Sequence, residues 1–136
     1  MSFFDSIMRV FGGGSESVSK SDRSQWGEIS ASTELKGIDE ASYEKIQFIY
    51  KHSSRCATSY FALRNLQDFT EDIRKVADLY MVDVIGHRAL SNEISSHYEV
   101  RHESPQVLLI REGRVRWNGS HGEVRSDVIK EVIEKI

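Results

Sequence analysis

Apolar residues recur along this 136-residue chain with two spacings, which predict alternating strands and helices. The run IQFIY (46–50) favours a β-strand broken only by Gln47, as is typical of a strand that is covered on both faces. From Tyr60 onward, apolar residues recur every three or four positions, which predicts a helix over about 57–76. The small polar residues around Cys56, between these two patterns, must therefore turn a strand into a helix.

The same two spacings predict the remaining elements of the chain. The first expected elements are a short edge strand at Trp26 and Ile29, a helix through Leu35 and Tyr43 capped by Ser32 or Thr33, a strand over 45–51 and the helix over 57–76. They are followed by a strand over 79–85 and a helix over 88–98. The last elements are two hairpin strands within 107–117 that turn at Glu112 and Gly113, and a helix from Val124 to Ile136. The order β-α-β-α-β-α-β-β-α predicts an α/β fold in which helices cover both faces of a mixed central sheet.

Residues 1–24 differ in character from the rest of the chain. Apolar side chains within 2–11 fall on one side of a short amphipathic helix, and GGGSESVSKSDRS (12–24) has the composition of a flexible linker. We therefore expect one ordered domain over 25–136 that carries a tethered amino-terminal helix. That helix could dock on its own domain, on a second copy or partner, or on a membrane surface.

Composition narrows the function classes. The length suits one core, and the net charge of −3 with interspersed signs gives no electrostatic reason to expect a nucleic-acid partner. No segment approaches the roughly 18 apolar residues of a membrane span. A single cysteine cannot form an intrachain disulfide and suits a reducing compartment, so we expect a cytoplasmic protein. The five histidines lack zinc-ligand spacing, and no bound metal or other cofactor is expected.

Cys56 is the strongest candidate for chemistry. At the first turn of a helix, unpaired backbone N–H groups and the helix dipole favour a thiolate, which is the nucleophilic form of a thiol. Arg55 and Lys51 suggest cationic charge nearby. A lone cysteine can instead be a small buried hydrophobe, but hydrophilic flanks and a strand-to-helix junction favour the reactive interpretation. Hydroxyl groups flank the cysteine at Ser53, Ser54, Thr58 and Ser59.

Four stretches of the chain carry a family resemblance. They are KHSSRC followed by Ser59, RALSNEI, YEVRHESPQ, and VRWNGSH. Together they resemble the monothiol bacilliredoxins of the bacillithiol system, within the thioredoxin-like superfamily, over about 26–136. The usual active-site string of that family is Thr-Cys-Pro-Ile-Ser, and this chain departs from it at Arg55, Ala57 and Thr58.

The resemblance implies a thioredoxin-like fold and a monothiol thiol–disulfide oxidoreductase. In such an enzyme, Cys56 would remove bacillithiol, or a similar low-molecular-weight thiol, from bacillithiolated proteins, with the small thiol as co-substrate. Ser59 stands where dithiol relatives carry a resolving cysteine. The Ser104–Pro105 bond is expected to be cis and to face the cysteine turn. The implied substrate-binding residues are Ser53, Ser54, Arg55, Thr58, Ser59, His102, Ser104 and Pro105.

Two functions of other classes stay open at this point. Two chains could share an iron–sulfur cluster, as some single-cysteine glutaredoxins do, although those proteins carry Gly-Phe-Ser where this chain has Ala57-Thr58-Ser59. Alternatively, the domain could be a non-catalytic interaction module in which Cys56 is idle.

Overall fold

The computed structural model describes residues 26–67 and 70–136, so the predicted helix and linker of residues 1–24 lie outside the described residues. The strands are β1 (Gly27–Glu28), β2 (Ile46–His52), β3 (Ala77–Asp83), β4 (Gln106–Arg111) and β5 (Arg114–Ser120). The α-helices are α1 (Leu35–Ala41), α2 (Ala57–Gln67), α3 (Thr70–Arg74), α4 (Arg88–Tyr98) and α5 (Ser126–Lys135). Short 3₁₀ helices at Ser32–Glu34 and His121–Glu123 precede α1 and α5.

The strands form one mixed sheet in the order β1-β3-β2-β4-β5. β3 pairs in parallel with both β1 and β2, because a helix returns the chain to the same end of the sheet each time. β4 runs antiparallel to β2 and to β5. The predicted mixed sheet is confirmed, with β1 at one edge.

Each face of the sheet packs against its own set of helices, as the alternating pattern predicted. One core contains Phe48 and Tyr50 of β2 together with buried residues of α2, α3 and α5. The other contains Ile49 of β2 with buried residues of α1 and α4. β2 therefore has no exposed face, and even the polar Gln47 is fully buried, where its amide donates to the Asp78 carboxylate at 2.8 Å.

Three local predictions need correction. Neither Ser32 nor Thr33 caps the first helix; the Glu34 carboxylate instead accepts the backbone N–H groups of Ser30 and Ala31, at 2.9 and 3.0 Å. The Glu34 carboxylate thus satisfies backbone donors that precede the helix, and no side chain caps the first N–H groups of α1.

The helix predicted over 57–76 is present at Ala57–Gln67 (α2) and Thr70–Arg74 (α3), on either side of the two positions outside the described residues, but its predicted last residue, Val76, lies beyond α3 and is exposed. The strand that follows spans Ala77–Asp83, so it begins and ends two residues before the predicted 79–85.

The hairpin turn lies at Glu112 and Gly113, where it was predicted, but both residues have positive φ, at 56° and 80°. From the sequence, a positive φ was predicted only for Gly113. The C-terminal end of α1 supports the turn, because Ser42 accepts the Glu112 N–H through its carbonyl and the Gly113 N–H through its hydroxyl.

The pairing of β2 with β4 positions the candidate site. Lys51 pairs with Gln106 across these antiparallel strands. The turn that leaves β2 toward Cys56 and the loop that enters β4 through Ser104 and Pro105 therefore lie at the same edge of the sheet.

Candidate active site around Cys56

Cys56 occupies the N-cap position of α2. Its N–H donates to the Ser53 carbonyl at 3.1 Å and closes the turn that follows β2, while its own carbonyl accepts the Tyr60 N–H at 3.1 Å and begins the helix. An N-cap side chain normally accepts the N–H groups of the second and third helical residues. Here a sulfur stands where a hydroxyl or carboxylate is usual, and the thiol is half-buried and free.

Hydrogen bonds to this sulfur lower the pKa of the Cys56 thiol. The largest contribution comes from the backbone N–H of Ser59, followed by that of Thr58; the hydroxyls of both residues add smaller contributions, which partial burial opposes. These groups favour the thiolate because each donates to the negative sulfur. The cause is therefore local donors at a helix start, rather than the Arg55 and Lys51 cations that the sequence suggested.

We expect the Cys56 thiolate to appear below the range in which an unhindered thiol ionises, at about 8.5. Thiolate absorbance near 240 nm should follow a lower midpoint in the folded protein than in the same protein unfolded in denaturant. Ser59→Ala should raise that midpoint only slightly, since the larger backbone contributions remain. A folded-state midpoint equal to the denatured one would contradict this expectation.

Ser59 faces the cysteine from inside the helix. It is fully buried, and its hydroxyl oxygen accepts the Ser53 N–H at 3.2 Å. The same hydroxyl contributes to the lowered pKa of Cys56. Ser59 therefore links both ends of the turn and offers an oxygen, not a second sulfur, to the reactive thiol.

Beneath the turn lies a buried pair that the sequence analysis missed. The Tyr50 hydroxyl donates its one proton to the Ser59 carbonyl at 2.9 Å, so the contact of 3.1 Å between its oxygen and His52 Nδ1 requires a proton on the histidine. Burial is the largest cause of the raised pKa of Tyr50, and the Cys56 charge also raises it. Alternation along β2 places Tyr50 and His52 on one face, which is the signal that could have paired them.

The outer rim of the turn consists of exposed side chains. Ser54, Arg55 and Thr58 are exposed, so all three are accessible to a substrate, as their predicted role requires. One turn along α2, Phe61 is 61% exposed and packs edge-on against Tyr60. Polar side chains thus flank the thiol along the chain, and exposed aromatic surface lies farther along the same helix.

His102 and Lys51 belong to a separate, partly buried hydrogen-bond network. Lys51 is fully buried and donates to the Ser91 carbonyl at 2.9 Å and to the Ser95 hydroxyl at 2.7 Å, both on α4. It also contacts His102 Nδ1 at 3.2 Å. Because an ammonium group can only donate, Nδ1 must accept, and His102 is neutral with its proton on Nε2.

The loop that enters β4 contains the other predicted substrate-binding residues. The Ser104–Pro105 bond is cis, as the resemblance implied. The Pro105 carbonyl accepts the His121 N–H at 3.1 Å, and the buried Ser104 hydroxyl oxygen has no hydrogen-bond partner among the described residues.

Within residues 26–67 and 70–136, no three His, Cys, Asp or Glu side chains converge as metal ligands would. In the same part of the chain, each helix is too short or too polar to cross a bilayer.

Comparisons with known proteins agree with this geometry. One solved structure, a protein with a thioredoxin fold to which an oxidoreductase role has been ascribed, shares 28% identity with a TM-score of 0.68, covering 79% of this chain and 91% of that one. Mitochondrial thioredoxin 3 from Saccharomyces cerevisiae has a TM-score of 0.66 at 12% identity, over 85% and 99% of the two chains. Thioredoxin from Fasciola hepatica has a TM-score of 0.63 at 14% identity, over 79% and 96%.

The last two likenesses show the thioredoxin fold alone. A family match is more specific, because the family described as "Monothiol bacilliredoxin BrxC" matches residues 27–129, which include the cysteine turn and the loop before β4. The chain therefore belongs to the monothiol bacilliredoxin family and has a thioredoxin-like oxidoreductase fold.

Proposed function

We propose that this protein removes bacillithiol, or a closely similar small thiol, from protein mixed disulfides through an intermediate on Cys56. The observation that carries the proposal is the site itself: a free thiol with a lowered pKa at an N-cap, facing the Ser59 hydroxyl instead of a second cysteine. Family membership supports the thiol class of substrate.

The first step is a thiolate–disulfide exchange. The Cys56 thiolate attacks the sulfur of the small thiol, a new disulfide forms between these two atoms, and the original disulfide breaks. The substrate protein leaves as a thiolate and takes a proton from solvent. A second small thiol then attacks the mixed disulfide on Cys56, which regenerates the Cys56 thiolate and produces a disulfide of two small thiols.

The site supplies position and charge stabilisation for this step. The donors that stabilise the Cys56 thiolate also keep it present at neutral pH, which raises the concentration of nucleophile. The exposed polar side chains of Ser54, Arg55 and Thr58 can contact the small thiol or the flanking peptide. We assign Ser53 and Ser59 to shaping the turn, because their polar groups bond to each other.

Two mixed disulfides that differ only in the small thiol test the proposal. A reporter protein with one cysteine should be prepared as its bacillithiol and as its glutathione mixed disulfide, and release of each small thiol should be followed by mass. We expect faster release from the bacillithiol form and none with Cys56→Ser. Equal release by wild type and Cys56→Ser would contradict the role of the thiol, and a preference for glutathione would contradict the assignment of bacillithiol.

We further propose that residues 1–24 form a tethered segment outside this chemistry. Their linker composition and the start of the family match at residue 27 support that division. A lone free thiol suits a reducing compartment such as the cytoplasm.

A further inference from the structure

The Lys51 ammonium group is buried with no carboxylate within ion-pair distance among the described residues. A buried charge without a partner costs stability, and lysine is rarely fully buried for that reason. Its three acceptors are all neutral: the Ser91 carbonyl, the Ser95 hydroxyl and His102 Nδ1. Burial of the Lys51 ammonium group lowers the stability of the fold, although each of its three N–H donors has an acceptor. We therefore look for a role of Lys51 in function, since its charge is not needed to stabilise the core.

The acceptors of Lys51 connect three elements at the edge of the sheet where Cys56 lies. Lys51 is on β2, Ser91 and Ser95 are on α4, and His102 is in the loop that leads to Ser104 and Pro105. The backbone of Lys51 pairs with Gln106, the residue after Pro105. The Lys51 side chain therefore joins the loop between α4 and β4 both to the helix and to the strand that leads to the cysteine turn, together with the Ser91 hydroxyl, which lies 3.2 Å from His102 Nδ1.

A second set of hydrogen bonds holds the same loop from its other end. The Gln106 amide donates to the Arg101 carbonyl at 2.9 Å, and its oxygen accepts the Glu103 N–H at 3.4 Å. The loop is thus tied at Arg101, His102 and Glu103, close before the Ser104 and Pro105 that we place at the substrate.

We propose that Lys51 is a positioning residue for thiol exchange, whose buried ammonium group holds the loop over residues 100–105 in the position that receives the protein substrate. This inference rests on the proposed function, and it assigns to Lys51 and His102 a role in holding the loop rather than in contacting the reacting sulfur atoms.

The groups around Lys51 predict how this support depends on pH. Burial lowers the pKa of Lys51 to about 8, so above that pH the amine loses one donor and presents a lone pair to one of its three acceptors. At low pH, protonation of His102 would remove the Nδ1 acceptor. Burial first, and then the charges of Lys51 and Arg88, lower the pKa of His102, while Glu103 opposes them. The loop is therefore held best where His102 is neutral and Lys51 is charged.

Lys51→Met tests the proposal, with Gln47→Met as the matched control. Both residues are fully buried on the same face of β2 and both donate hydrogen bonds, but Gln47 contacts Lys45 and Asp78 at the opposite end of the strand. In single-turnover attack on the bacillithiol-modified reporter, we expect Lys51→Met to lower kcat/KM about tenfold, since a small misplacement of a binding element has effects of this order. Gln47→Met should leave kcat/KM within about twofold of wild type, because Gln47 lies far from the loop.

Three further measurements distinguish positioning from a merely structural role. At pH 7 the melting temperature of Lys51→Met should be no lower than that of wild type, because methionine removes a buried charge and the Ser91 hydroxyl, 3.2 Å from His102 Nδ1, remains as a donor to that nitrogen. The rate of Cys56 with a small aromatic disulfide should not change, since the thiolate donors are intact. The wild-type rate on the protein substrate should also decline above a pH of about 8, and Lys51→Met should lack that decline.

Hydrogen exchange tests the support of the loop without any substrate. Peptides that cover residues 100–106 should exchange about tenfold faster in Lys51→Met than in Gln47→Met, because loss of these hydrogen bonds makes local opening of the loop easier. Unchanged exchange in that loop, or full activity of Lys51→Met on the reporter, would overturn the proposal. Failure of wild type to act on the reporter would overturn the proposed function instead, while the exchange result would still decide whether Lys51 supports the loop.

Discussion

After a single turnover without added reductant, the wild-type protein is expected to carry one small-thiol adduct on Cys56, whereas Ser59→Cys should carry none. With one cysteine per chain, no internal thiol can complete the cycle, so the mixed disulfide should persist until a second thiol arrives. In Ser59→Cys, a thiol stands two intervening residues away at a helix start, which is the spacing of Cys-X-X-Cys redox motifs.

The geometry supports closure of that ring. The Ser59 hydroxyl already contributes to the pKa of the Cys56 thiol, so the two side chains face each other across the first turn of α2. Intact-mass measurement should show Ser59→Cys two hydrogens lighter than its reduced form and free of adduct. Phe61→Cys is a suitable control, because Phe61 is 61% exposed and lies five residues along the helix from Cys56, which separates the two Cα atoms by more than the roughly 7 Å that a disulfide can span, and we expect it to keep its adduct.

Wild-type protein recovered as a free thiol would contradict the monothiol scheme. An adduct retained on Ser59→Cys would contradict the placement of the two side chains. The two outcomes are independent. The result for wild type depends on there being one thiol in the chain, whereas the result for Ser59→Cys depends on whether the side chains at positions 56 and 59 face each other.

The largest expected effect on stability comes from Gly119→Ala, in β5. A Cβ at this position would lie 2.6 Å from Cζ2 of Trp117 and 3.1 Å from Cβ of Glu123. Trp117 is partly buried and packs against the core, so a shift of its ring would disturb that packing, and we expect overpacking to destabilise the fold by about 1–3 kcal/mol. Thermal or denaturant unfolding measures this change directly.

Gly37→Ala provides a control of opposite sign. A Cβ at Gly37, within α1, would meet nothing within 4 Å, so alanine should stabilise the protein by about 0.5–1 kcal/mol through its helix preference. Equal effects of the two substitutions would mean that the Trp117 contact does not restrict Gly119.

Much of the fold could be predicted from the sequence, because the patterns that indicate its helices and turns involve only neighbouring residues. Helix α4 begins and ends where its spacing predicted, at Arg88 and Tyr98, and the hairpin turns at Glu112 and Gly113. The placement of Cys56 at a helix start also follows from neighbouring residues alone, since a strand pattern ends and a helix pattern begins on either side of it. The predicted cap of the first helix was wrong, because neither Ser32 nor Thr33 caps it and the Glu34 carboxylate instead accepts the N–H groups of Ser30 and Ala31.

The direction of the polar side chains on β2 depended on the tertiary structure. Lys51 lies five residues before Cys56, and that separation suggested a cation beside the thiol. Alternation along β2 instead sends Tyr50 toward α2, beneath the cysteine turn, and Lys51 to the opposite face, against α4.

By itself, the sequence determined that a strand, a cysteine turn and a helix follow one another, because spacing and turn chemistry act over a few residues. Only the tertiary structure decided which face of β2 each polar residue occupies and that Trp117 lies across Gly119. A strand buried on both faces carries no contrast between an apolar and a polar side, so its pattern cannot indicate which face meets which helix.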